Sequence, residues 1–417
     1  MSFFTTVTRM WLTKSVKPFT FQNEYDNTLP FQELDHLGLY IHIPFCEQIC
    51  SFCPYCKEVY NENLCATYVS YLIQEIHLVG QGHSAKKEVT TLYFGGGTPA
   101  LAIDHLAEIL QTIEQYFIIT EGIGLELHPR NVTIPTLTQL KQIGITKISI
   151  GIQSFQDKFL AVLNREKVDY TPLFQALQAV PFETVSMDFI FALPEQKIDD
   201  LKNDIALAFQ NGANHIAVYP FIDFAFTDSQ LKSMQKNEKR KLLDEITVYC
   251  ESKDYERESI WTFSSQKNAN YSSMTRDNFL GFGCSATTLL KNQFKVNTFS
   301  VQEYMKRIQQ KELPTSLTIC FTKRQRMIYY LFWTAYSTKV DSVNFKNFFG
   351  EDLKKHYGFE LKIATILGYV TEKNGVYEMT TKGVFYYHYY ENFYTLAYID
   401  KMWGILRSEA FPEKIAF

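Results

Sequence analysis

The rhythm of the first two-thirds constrains this chain most. Short apolar runs rich in β-branched and aromatic residues fall at positions 39–43, 91–94, 123–127, 145–152, 185–191 and 215–221. Amphipathic stretches lie between them. Val69, Leu72, Ile73, Ile76 and Val79 share one helical face, and residues 106–117, 137–143, 173–180 and 201–209 are further candidate helices. Strands that alternate with helices form a parallel sheet with helical crossovers, because a tight turn cannot join parallel neighbours. Six such units predict an α/β fold, a partial (β/α)6 TIM-like barrel with its chemistry at the carboxyl ends of the strands. An open doubly wound sheet is the competing arrangement.

After Asp223 the rhythm changes. A polar helix is expected over 229–253 and an irregular, glycine-containing stretch over 279–286. Beyond Pro314, helices over 323–338, 343–349 and 351–367 precede a hairpin over 369–381 that turns at Asn374 and Gly375. Three helices and a hairpin predict a mostly helical, winged-helix-like C-terminal domain. It lacks a strong basic surface and is read as a lid or partner surface, not as a DNA binder. An aromatic tract follows, with Phe385, Tyr386, Tyr387, Tyr389, Tyr390, Phe393 and Tyr394, ending near Trp403. Its helical spacing favours core packing over ligand stacking. The expected organisation is an N-terminal arm (1–37), the barrel (38–225), a barrel extension or substrate region (226–313) and the C-terminal lid (314–417).

The 41 Lys+Arg against 45 Asp+Glu remove the electrostatic case for nucleic-acid binding. No apolar run is long enough to span a bilayer. At the N-terminus, Arg9 and Lys14 break any signal-peptide core, and a packed or loose arm is preferred to a transit peptide. Of 8 cysteines, Cys46, Cys50, Cys53 and Cys56 crowd one short stretch, while Cys65, Cys250, Cys284 and Cys320 are scattered. Clustered thiols persist in a reducing compartment, so a cytoplasmic location is expected. Cys46, Cys50 and Cys53 follow a strand directly and can converge on one inorganic centre, zinc or iron–sulfur. Structural zinc calls for two separated knuckles, and no second one follows. Cys53-Pro54-Tyr55-Cys56 also reads as a redox dithiol, but that motif opens a helix without further cysteines before it. A [4Fe–4S] cluster ranks first. Three thiolates leave one of its irons open to a small molecule.

Cys-x3-Cys-x2-Cys after the first strand resembles the radical S-adenosylmethionine superfamily. Tyr40-Ile-His-Ile-Pro-Phe-Cys46 is similar to the oxygen-independent coproporphyrinogen III oxidase group, and the likeness covers roughly residues 38–222. The resemblance implies that Cys46, Cys50 and Cys53 hold the cluster, with Tyr40 beside it. It implies that Gly96, Gly97 and Thr98, in Phe94-Gly-Gly-Gly-Thr-Pro99, hold the amino-acid end of S-adenosylmethionine. Glu126 and Gln153 at successive strand ends, Arg165 just beyond, and Asp188 within strand five match further contacts to that cofactor. One or two S-adenosylmethionine molecules, a tetrapyrrole-like substrate and a flavodoxin- or ferredoxin-type electron donor are implied as well. In such enzymes an electron from the cluster cleaves the sulfonium, and the resulting 5′-deoxyadenosyl radical abstracts a substrate hydrogen. Three activities fit: oxidative decarboxylation of a coproporphyrinogen, radical methyl transfer, or haem carriage without turnover. Carriage would need an axial ligand, for which His42 and His388 are the candidates. The chain departs from the pattern at Cys56, three residues after Cys53 where the oxidase has two. It departs also at His128, which replaces an acid or asparagine, and at Ala192-Leu193-Pro194, where relatives often carry Gly-Leu-Pro. Cys56 is expected to be a spectator.

Overall fold

The computed structural model describes residues 3–24, 28–83, 85–265 and 277–417. Six parallel strands form its centre: β1 (Leu37–Ile43), β2 (Leu92–Gly96), β3 (Ile123–Leu127), β4 (Lys147–Gln153), β5 (Thr184–Phe191) and β6 (His215–Pro220). They lie side by side in chain order, each paired in parallel with the next. Helices Glu62–Gly80, Ile103–Tyr116, Ile134–Gln142, Thr171–Ala179 and Ile198–Gln210 fill the crossovers. The side chains of Asn61 and Thr133 cap two of them by accepting from Leu64 N and Thr136 N.

Alternation along these strands separates two chemistries. Leu39, Ile41, Ile43, Phe94, Leu125, Ile148, Ile150, Ile152, Met187, Phe189 and Phe191 are buried in one apolar core with the helices. The residues between them, including Tyr40, His42, Tyr93, Glu126, Ser149, Gly151, Gln153 and Asp188, face a large cavity. A filled TIM barrel packs its interior with branched apolar side chains. Here the inner face is polar or stripped to glycine, which leaves room for a ligand.

The parallel sheet continues where an irregular stretch was expected. Residues Asn278–Phe282 form β7, parallel to β1, with Gly281 opposite Tyr40. A β-carbon on Gly281 would lie 2.2 Å from the Thr287 carbonyl oxygen, so glycine is the residue that fits there. The sheet then runs through strands Thr287–Leu290, Gln293–Asn297, Thr315–Cys320, Thr20–Gln22 and Lys414–Ala416. At the opposite end Thr262–Ser264 and Glu256–Arg257 add antiparallel strands, so the strand order is open. The polar helix begins at Lys236, later than expected, where the Gln235 and Glu238 side chains form a capping box.

The C-terminal unit has its own small core of Met327, Tyr330, Phe345, Leu353, Tyr357 and Tyr377. Helices Lys323–Tyr336, Ser342–Phe349 and Leu353–Ile366 accompany a three-stranded sheet of Lys339–Asp341, Val376–Met379 and Val370–Lys373. Asn374 and Gly375 both take positive φ, 54° and 82°, as a tight hairpin turn requires. The N-terminal helix Phe3–Thr13 packs on this unit, with Arg324 Nε donating to Leu12 O and Trp11 stacked on Phe359. Among the described residues no helix is long and apolar enough to cross a membrane.

Candidate functional site

A single cavity of about 1740 Å³ lies over the inner face of the parallel sheet. Cys46, Cys50, Cys53, Tyr40, Gly96, Gly97, Thr98, Glu126, Gln153, Arg165 and Asp188 all line it. Residues 148 positions apart in sequence thus converge because each sits on the inner face of a strand or in the loop that follows one.

The cysteine loop is held at its base. Strand Phe45–Cys46 pairs with Glu58–Val59, Tyr60 N donates to Cys46 O at 2.8 Å, and Lys57 Nζ donates to the carbonyls of Cys50 and Cys53. The three thiols are half-buried and uncombined. Burial pushes the Cys46 thiol up to about 12, with Cys53 adding to it and a hydrogen bond from Thr98 opposing it. Burial likewise raises Cys50. Protonated thiols crowded in a cavity wall become thiolates when a metal centre displaces their protons, so the donor set fits an iron–sulfur cluster.

The glycine run abuts this loop. Gly97 N donates to Ile43 O at 2.8 Å and Thr98 N to Phe45 O at 2.7 Å, which carries the turn against β1. A β-carbon on Gly97 would lie 2.5 Å from Phe45 O, and Gly96 has φ +119°. Both positions therefore require glycine. Gly96 N donates to Glu126 Oε2 at 3.0 Å. Burial pushes the Glu126 carboxyl up to about 7, against the pull of that amide. Gln153 ends β4 with φ +68°, a left-handed conformation that turns its side chain at the strand mouth. Arg165 Nη1 donates to Gly151 O at 2.8 Å and so stands over the same strand end.

Asp188 belongs to a network that sequence patterns did not reveal. Its carboxylate accepts from Ser149 Oγ at 2.8 Å and Ser186 Oγ at 3.1 Å. Ser186 Oγ meets His215 Nδ1 at 2.8 Å, and His215 Nε2 lies 3.5 Å from Glu258. Burial raises the Asp188 carboxyl, with both serines and His215 opposing. Ser149, Ser186 and His215 occupy inward positions on β4, β5 and β6, so strand alternation was the signal available for them. His128 lines the cavity too. Burial, with Arg165 and Arg130, holds its imidazole neutral down to about 3.

The opposite wall is aromatic. Tyr329, Phe332, Trp333 and Tyr336 come from the first C-terminal helix. Tyr387, Tyr390, Tyr394, Tyr398 and Trp403 come from helix Thr381–Tyr394, the π-helical turn Thr395–Ile399 and helix Asp400–Ser408. The expectation of core packing for this tract holds for Phe385, which is buried, and for Tyr387 and Tyr394, which pack against the main core while also lining the cavity. A π-turn shifts the side-chain register, which keeps Tyr398 and Trp403 on the cavity side. His388 is absent from this wall. It is buried and accepts from Trp261 Nε1 at 3.0 Å, which fits a structural role better than haem ligation.

Comparison with known proteins agrees with this geometry. Residues 40–208 match the Radical SAM superfamily. The chain is 25% identical over 292 residues to the heme chaperone HemW of Bacillus subtilis, covering 66% of this chain and 76% of that one. It is 26% identical over 306 residues to the oxygen-independent coproporphyrinogen III oxidase of Cereibacter sphaeroides, covering 67% and 68%. The solved structure of coproporphyrinogen III oxidase (HemN) from Escherichia coli has the same fold, with a TM-score of 0.71, 20% identity and coverage of 85% and 88%.

Proposed function

We propose, from the premise that this is a radical S-adenosylmethionine protein of the coproporphyrinogen-oxidase-like group, that the chain is an enzyme acting on a tetrapyrrole. The observation that carries the reading is the continuity of one cavity. Three cluster-type thiols and a set of cofactor-type polar groups share it with an aromatic wall broad enough for a flat macrocycle.

In this reading Cys46, Cys50 and Cys53 hold a [4Fe–4S] cluster. That cluster, with S-adenosylmethionine, supplies a 5′-deoxyadenosyl radical. The rest of the work falls to side chains of this chain. The Gly96–Gly97 turn, which no side chain obstructs, receives the amino-acid end of the cofactor, and Thr98 braces Cys46. The Glu126 carboxylate and the Gln153 amide accept and donate at the strand mouths, where a zwitterion and a ribose need partners. Arg165 presents its remaining N–H donors to a carboxylate. Asp188 is held in one orientation by Ser149 and Ser186, so it meets the cofactor already aligned. The aromatic wall excludes water and orients the substrate's flat face toward the strand ends.

Oxidative decarboxylation in the manner of the coproporphyrinogen oxidases is the first activity to test. The test is anaerobic reconstitution with iron and sulfide, followed by a reductant, S-adenosylmethionine and coproporphyrinogen III. Formation of 5′-deoxyadenosine with protoporphyrinogen and carbon dioxide supports the reading. Methylated or ring-opened haem, when haem is offered instead, selects methyl transfer. Haem bound without any S-adenosylmethionine cleavage selects the carrier function that the HemW similarity allows.

A further inference from the structure

Cys56, expected to be a spectator, has specific neighbours. It is buried, and its sulfur lies 3.8 Å from that of Cys284, a residue 228 positions away and just beyond the end of β7. His42 completes the group. One ligand atom from each of His42, Cys56 and Cys284 lies within 4.8 Å of the others, and all three residues are buried. The geometry points to a second inorganic site, separate from the three-cysteine loop: a single thiophilic divalent cation, zinc by its donor set, held by His42, Cys56 and Cys284.

The separations suit the ion. Zinc–thiolate bonds of about 2.3 Å at a tetrahedral angle place two sulfurs roughly 3.8 Å apart. A disulfide would require about 2.05 Å, and both thiols are free. Two thiolates and an imidazole are soft-to-borderline donors, which exclude magnesium and calcium. The ligands also have the outer support that metal-binding side chains usually have. Tyr40 Oη meets His42 Nδ1 at 3.1 Å, which fixes the ring and leaves Nε2 as the ligand atom. Tyr68 Oη donates to His42 O at 2.8 Å, lies 3.7 Å from the Cys284 sulfur and accepts from Cys284 N at 3.0 Å.

Without metal these groups satisfy one another. His42 Nε2 meets Cys56 O at 3.0 Å and Ser285 Oγ at 3.4 Å, and the Cys56 thiol donates to Phe299 O at 3.1 Å. Binding exchanges the Nε2 contact for the ion, which is held by thiolate sulfurs. His42, Cys56 and Ser285 line the cavity, whereas Cys284 does not. Three protein ligands therefore leave the fourth tetrahedral position toward the cavity, the arrangement of a zinc site that accepts water or a substrate oxygen.

The test uses the full chain with Cys46, Cys50 and Cys53 all replaced by serine, stripped with a chelator and titrated anaerobically with cobalt(II). The expected result is sulfur-to-cobalt charge-transfer and tetrahedral d–d bands that saturate at one equivalent, and their loss on adding Cys56→Ser or Cys284→Ser. Absence of the bands, or their persistence in the Cys284→Ser variant, overturns the site. Should the multiple variants not fold, elemental analysis of the cluster-loaded wild-type chain decides. One zinc per chain beside the iron, removed by Cys284→Ser with the iron retained, supports the site. Iron without zinc, or a Cys56–Cys284 disulfide in anaerobically isolated protein, refutes it. None of these readouts depends on the identity of the tetrapyrrole substrate.

Discussion

The two walls of the cavity are built on different principles. The strand-end wall is made of short, rigid elements, and three of its charged groups are held by named partners: Glu126 by Gly96, Asp188 by Ser149 and Ser186, Arg165 by Gly151. The C-terminal wall is made of large aromatic side chains on two helical segments, braced mainly by ring contacts such as Phe332 with Tyr387 and Tyr394. They meet at the cysteine loop, where Arg407 donates to the carbonyls of Pro54 and Tyr55 and Trp403 packs on Tyr55. The difference separates two jobs. Preorganised polar groups suit one invariant, charged cofactor. An apolar face suits recognition by shape, which varies with substrate.

Substitutions that strike one wall and spare the other break or sharpen this comparison. The largest effect is expected from Cys53→Ala, which removes one of the three thiols proposed to hold the cluster. Iron–sulfur absorbance and S-adenosylmethionine cleavage should both vanish after reconstitution, and survival of either would remove the strand-end wall from the chemistry. Next is Glu126, with its carboxyl raised from 4.5 to about 7. A cofactor's ammonium and hydroxyl groups prefer the carboxylate. Affinity for S-adenosylmethionine should therefore climb as pH rises toward about 7, by up to about tenfold per unit below it. The ligand-free chain should lose stability over the same window, because the folded state holds the proton more tightly than the unfolded one. Glu126→Gln should flatten both trends, as read by calorimetric titration and thermal melts.

On the aromatic wall, Trp333→Ala should raise the KM for the proposed tetrapyrrole substrate by about five- to tenfold, the loss of roughly 1 kcal/mol of ring contact. Uncoupled cleavage of S-adenosylmethionine should stay unchanged, and a fall in it would mean that the walls do not divide the work. The smallest effect is expected at Ala192, which is fully buried at φ +68°. Glycine takes that conformation without strain. Ala192→Gly should stabilise the chain by about 0.5 kcal/mol, the relief of left-handed strain less the added freedom of the unfolded chain. Denaturant unfolding checks it.

Much of the strand-end wall was legible because its signals are local. Cys46, Cys50 and Cys53 lie within one loop, and Gly96, Gly97 and Thr98 within one turn. Glu126 and Asp188 stand inside predicted strands, where alternation decides the face. The aromatic wall was legible as a helix but not as a wall. A stripe at helical spacing looks the same whether it meets a core or a cavity, and the π-turn at Thr395–Ile399 that sets its later register leaves no periodicity mark.

The sequence by itself determined the alternating strands and helices, the three-thiol loop and the glycine turn, because backbone preference and short-range spacing act within a few residues. Only the tertiary structure decided that residues Asn278–Phe282 pair beside β1. That pairing brings Cys284 against Cys56 and His42, just as the neighbouring positions of β5 and β6 bring His215 to Ser186 and so into the network of Asp188. Such contacts depend on which strands become neighbours, and strand order is chosen by the packing of the whole core, not by any one segment.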